Sequence, residues 1–134
     1  MIELFVQSRY RVNRKVLRTH TLEFLQKAGL NPEEYSVSIA IIGDRKMNTL
    51  HKQFAQKQGT TPVLAFPYIQ SGYADHYHGA PDRKEDSEAK TTLIGEIVIS
   101  YPQTLIFAAD EHKLVDDKIG EFIDHGLTQL LNEI

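Results

Sequence analysis

The chain has 134 residues, of which 41% are hydrophobic and 25% charged, and a formal net charge of −3. That length is enough to bury a real core as one domain, 1–134, and the acidic balance confines any nucleic-acid contact to a local patch. It contains no cysteine, which excludes disulfides, thiolate zinc sites and cysteine nucleophiles and fits a reducing, cytoplasmic setting.

No apolar run approaches membrane-spanning length. The first residues, with Glu3 among them, lack the basic region and cleavage site of a signal peptide. Ile2, Leu4 and Val6 alternate with Glu3, Phe5 and Gln7, which predicts a first strand over residues 2–8. Asn13 suits the cap of a helix over residues 14–28, stopped by Gly29 and Pro32, with Val16, Leu17, Leu22, Phe24 and Leu25 as its apolar stripe. Residues 36–42 are β-branched and apolar, so they read as a buried strand. Gly43 and Asp44 then turn into a helix with Met47, Leu50 and Phe54 at core spacing. A short strand over 63–66 ends at Pro67. Residues 69–92 are rich in Gly, Pro and charge, and predict a long polar connection that moves in part. Ile94 to Ser100 form the strongest strand signal. Pro102 opens a helix to about Asp110. A last helix starts near Leu114 and turns Val115, Ile119, Phe122, Ile123, Leu127, Leu130 and Leu131 inward.

The order β-α-β-α-β-β-α-α predicts an α/β (α+β-like) domain: a mixed four-stranded sheet packed with about four helices. There is no glycine-rich phosphate loop, no G-x-S-x-G turn and no paired-carboxylate signature. Three groups of polar residues are left as candidates. Arg9, Arg11, Arg14, Lys15 and Arg18 form a basic cluster with Tyr10 interleaved, able to grip phosphates of RNA or of a ribosomal surface. His76 and His78 sit beside Asp75, Asp82 and Asp86, a pattern that permits an adventitious divalent site but is ordinary for a solvated loop. On the closing helix, Glu121, His125 and Gln129 occupy successive turns of one face. His112 falls in the junction between the last two helices, and His20 and His51 read as facing solvent or capping a neighbour.

Three blocks, in order, resemble the YbeY family of metal-dependent endoribonucleases in ribosomal RNA maturation. Thr61 to Pro67 is similar to the family's T-D-V-L-S-F-P strand, and Gly95 to Ser100 to its G-D-I-V-I-S. His125 to Leu131 is similar to the start of its H-G-x-L-H-L-x-G-Y-D-H metal motif. In that alignment His125 takes the first histidine, while Gln129 takes the second. Asn132, Glu133 and Ile134 fall on glycine, tyrosine and aspartate. Ala55 stands at a basic position, Pro62 at the strand's aspartate and Ala65 at its serine.

A catalytic zinc ion takes three protein ligands and a water. The resemblance assigns His125 to such a site, and the shared helix face offers Glu121 and Gln129 as non-standard companions. The departures gather at polar positions while the apolar ones match. The expectation is therefore a YbeY-like protein of rRNA maturation or the ribosome that acts by binding, its metal site degenerate, hydrolysis lost or reduced and no cofactor required. The alternative is an active metal-dependent endoribonuclease that uses zinc on His125 with ligands from elsewhere. No membrane partner is expected, and the oligomeric state is left open.

Overall fold

A computed structural model describes residues 1–55, 61–67 and 91–132. The polar connection expected over 69–92 lies outside the described residues apart from its last two positions, and His76, His78, Asp75, Asp82 and Asp86 lie there with it.

The elements are β1 (Ile2–Val6), α1 (Arg14–Lys27), β2 (Tyr35–Ile42), α2 (Asp44–Ala55), β3 (Val63–Pro67), β4 (Thr92–Ser100), α3 (Tyr101–Asp110) and α4 (Val115–Asn132). They form a four-stranded sheet of order β1-β2-β4-β3, in which β1, β2 and β4 run parallel and β3 pairs antiparallel with β4. The α/β architecture with a mixed sheet follows the sequence expectation. β2 and β4 are central and read as near-continuous apolar runs, because helices cover both of their faces.

Alternation along the strands sorts the core into two layers. Val6, Ile39, Ile41, Ile97 and Ile99 pack with Leu17 and Leu25 of α1 and with Ile119, Ile123, Leu127 and Leu130 of α4. Ala40, Ile42, Val98 and Phe66 face the other way, onto Met47 and Leu50 of α2. Each such side chain contributes about 1.5–3 kcal/mol when fully buried.

Local chemistry sets the boundaries. The Asn13 side chain accepts from Val16 N at 3.2 Å and starts α1. At its end Gly29 takes φ 83°, with Leu30 N donating to Leu25 O and Gly29 N to Gln26 O, a Schellman stop. Ser100 caps α3 through Gln103 N, and Pro102 sits in that first turn. The stripe of α1 is narrower than its apolar residues suggest. Leu17, Thr21 and Leu25 are the buried residues, and Val16 is 48% exposed. Thr21 is admitted because its hydroxyl donates to Leu17 O at 2.8 Å. Among the described residues no helix is long and apolar enough to cross a membrane.

Candidate functional site

On β3 the period of two sends Val63 and Ala65 towards the α1–α4 layer and Leu64 and Phe66 towards α2. The C-terminal half of α4 lies against this edge because two glycines remove side chains from the contact. A Cβ on Gly126 would stand 2.8 Å from the Ile97 side chain, and one on Gly95 would stand 2.5 Å from Phe66 O and 2.7 Å from Leu130. Where α4 passes the end of β3, a cleft of about 220 Å³ opens, lined by Ala65, Pro67, Gln129, Leu130 and Asn132. It is smaller than the roughly 300–1,000 Å³ of a typical small-molecule pocket. Among the described residues its polar side chains are the two carboxamides, which donate and accept hydrogen bonds but cannot titrate.

His125 lies one turn before Gln129 on α4, and both side chains are exposed. Glu121, a further turn back, is occupied elsewhere. Lys113 Nζ stands 2.7 Å from its Oε2, and Lys118 Nζ is 3.4 Å from its Oε1. The same two lysines reach Glu111, at 3.3 Å and 2.9 Å. Lys118 is nearly buried, its ammonium 4.9 Å from the ring centre of Phe122 and 5.8 Å from that of Phe107. The Lys113 hydrogen bond holds the Glu121 carboxyl below its usual range, and hydrogen bonds from Lys118 and then Lys113 do the same for Glu111. Glu121 is thus one corner of a four-residue ion cluster joining α3 to α4. That local partnership is half legible as Lys118 and Glu121 at i, i+3; the part supplied by Glu111 and Lys113 needs the turn between the helices.

The other predicted residues are dispersed. Arg9, Arg11, Arg14, Lys15 and Arg18 are all exposed, but they do not share one surface. Arg14 donates to Leu4 O at 3.1 Å and, with Lys15 and Arg18, belongs to α1, whose buried face packs on one side of the sheet. Arg9 lines a groove on the other side with Arg45 and Lys46. Those two residues carried no signal in the sequence, because only folding brings the start of α2 beside the end of β1. His20 bonds Asp124 Oδ1 at 2.7 Å and ties α1 to α4, and His112 sits in the turn between α3 and α4.

The model of a family described as Endoribonuclease YbeY matches residues 6–132. The chain belongs to the YbeY family. Similar proteins named Endoribonuclease YbeY include one from Anaeromyxobacter dehalogenans strain 2CP-C, 30% identical over 115 residues, covering 86% of this chain and 50% of the relative. Another, from Anaeromyxobacter sp. strain Fw109-5, is 27% identical over 115 residues with the same coverage of 86% and 50%. The chain thus spans about half the length of these curated relatives. The solution structure of TM1509 from Thermotoga maritima aligns with a TM-score of 0.58 and 18% identity over 97% of this chain and 71% of that one, a likeness of fold.

Within the YbeY frame, the resemblance implies a metal held at α4. A catalytic zinc needs three nitrogen or oxygen ligands that can carry its charge, plus an open position. Among the described residues the cleft offers two neutral amides and three apolar side chains, and Glu121 is committed to lysines. Among the described residues, no three His, Asp or Glu side chains converge well enough to hold an ion. This donor set does not fit a three-ligand zinc centre. The side chain of Ala55, together with Glu133 and Ile134, lies outside the described residues.

Proposed function

We propose that this YbeY-family domain works in rRNA maturation by binding RNA or a ribosomal surface in the cytoplasm, with hydrolysis weak or lost and no resident cofactor. The observation that carries the reading is the lining of the α4–β3 cleft. Gln129, Asn132, Ala65 and Pro67 can shape and hydrogen-bond a ligand, but they cannot lower the pKa of a water or take its proton. A neutral amide in place of an imidazole removes a ligand of the metal itself. Loss of outer partners alone costs about 10–100-fold in metal affinity or activity.

One observation favours a second reading. His125 projects from α4 into solvent one turn from the cleft, where a zinc ion could take it together with ligands from outside the described residues. Metal content of untagged protein and cleavage of a ribosomal RNA fragment, with and without added zinc, separate the two. The proposal expects substoichiometric zinc and no cleavage above a buffer control. Stoichiometric zinc with cleavage, both abolished in His125→Ala, would instead establish a hydrolytic centre.

A further inference from the structure

α2 covers three of the four strands of the sheet on its side, packing on Ala40 and Ile42 of β2, Val98 of β4 and Phe66 of β3. It does not reach across to β1. Phe5, on the strand face that points the same way, and Gln7, just past the strand, therefore line an open groove, and Phe5 is 38% exposed on it. The groove has a volume of about 490 Å³ and is lined by Phe5, Gln7, Arg9, Arg45, Lys46 and Thr49, with Gly43 at its head. Among the described residues this lining includes three cations and no carboxylate, with Glu3 two positions before Phe5 on the same face of β1, in a chain whose net charge is −3. The nearest carboxylate on α2, Asp44, is turned away: its oxygens accept from Ser100 Oγ at 2.7 Å and from Gln103 Nε2 at 3.4 Å.

The groove's polar parts are held in place by the fold. Gln7 Oε1 accepts from Gly43 N at 3.1 Å, fastening the end of β1 to the start of α2. Arg9 lies over the Tyr10 ring at 5.5 Å, and Tyr10 is itself stacked on Tyr101 with centroids 4.5 Å apart. Arg45 and Thr49 stand on consecutive turns of α2, and the Thr49 hydroxyl is bonded back to Arg45 O. An exposed phenyl ring on a sheet, in one groove with arginines from two different segments, is the combination that stacks an unpaired base and takes neighbouring phosphates. An acidic peptide would match the charge but leave Phe5 unused. A duplex has no unpaired base to offer the ring.

We propose that the β1–α2 groove is a docking site for single-stranded RNA, separate from the α4 cleft. One base stacks on Phe5, and neighbouring phosphates meet Arg9 and Arg45 with Lys46. The groove lies on the opposite face and at the opposite edge of the sheet from the α4–β3 cleft, so the proposal stands whether or not that cleft hydrolyses RNA.

The test is fluorescence anisotropy of the full chain with a labelled oligouridylate, over a salt series. The double variant Arg9→Ala, Arg45→Ala is expected to bind at least tenfold more weakly and to flatten the log–log salt slope by about 0.7 for each cation removed. Phe5→Leu, which keeps apolar bulk without a ring, is expected to weaken binding about 5- to 150-fold, the range that corresponds to a lost base stack. Lys27→Ala, which removes an exposed cation at the end of α1 outside the lining of both the groove and the cleft, is expected to leave the affinity within twofold of the parent, and a loss as large as that of the arginine variant would overturn the proposal. Wild-type affinity in the double arginine variant overturns the proposal. So does unchanged affinity in Phe5→Leu, or displacement of the RNA by polyglutamate at equal charge concentration, which would mark an acidic partner.

Discussion

His112 is the non-glycine residue with positive φ, 55°, among the described residues. It closes α3 as a glycine would: its N–H donates to Ala109 O at 3.3 Å, and that of Lys113 to Ala108 O at 2.9 Å. The turn aims Lys113 at Glu111 and Glu121. An L-residue in this conformation costs roughly 1–2 kcal/mol, and β-branching makes the clash worse. His112→Val is expected to lower stability by about 1 kcal/mol in urea unfolding, with an unchanged m-value. His112→Gly is expected to lie within about 1 kcal/mol of the parent, since relief of strain opposes the greater freedom of glycine when unfolded. At this scale the sequence was informative where chemistry is carried by identity. Gln129 declares itself an amide, whereas the commitment of Glu121 to lysines depends on Glu111 and Lys113 arriving from another element.

α4 shows how far a pattern reaches. Its apolar residues fall at the 3.6-residue period, and Ile119, Ile123, Leu127 and Leu130 are all fully buried, as the sequence led one to expect. The glycine in the middle has no explanation in that pattern. Gly126 is required by the approach of the helix to Ile97, while His125 beside it is exposed. Gly126→Ala sets two effects against each other. Helix propensity favours alanine by about 0.8–1 kcal/mol, while forcing a methyl into a packed contact costs about 1–3 kcal/mol. With three Ile97 atoms within 3.0 Å of the added carbon, the contact is expected to dominate. The variant should unfold at lower urea, by about 1–2 kcal/mol net. A midpoint equal to or above the parent's would mean that α4 can shift away from the sheet without loss.

Across the molecule, the ion cluster at the α3–α4 junction makes a prediction about pH. Glu111 and Glu121 have carboxyl pKa values depressed by their lysines, so their contribution to stability is present above the ordinary carboxylate value of 4.5 and is lost as pH falls through the lowered values. Lys113 is shifted upward by Glu121 and then Glu111, so its share holds below 10.5 and fades in more alkaline solution. Thermal unfolding followed from pH 6 down should show a fall in melting temperature below pH 4.5 that is shallower in Glu111→Gln, Glu121→Gln. A parallel fall in parent and variant would assign acid sensitivity to other carboxylates. The two glutamates and Lys113 are more than a third exposed, so the effect is one of slope rather than of survival.

The sequence by itself determined the element order, the mixed sheet and the family, because period, capping and turn residues are local and the apolar positions of the YbeY blocks are kept. It also led to the expectation that Gln129, Ala65 and Pro62 depart from the metal-site pattern, on which the proposed function rests. Which side chains meet was left to the tertiary structure. The basic residues near the N-terminus look like one patch in the chain, yet the sheet divides them, sending Arg9 to Arg45 and Lys46 and leaving Arg14, Lys15 and Arg18 on α1. The reason is physical: a strand and its following helix occupy different layers, so neighbours in sequence part there, and charges about 36 positions apart come to line one groove.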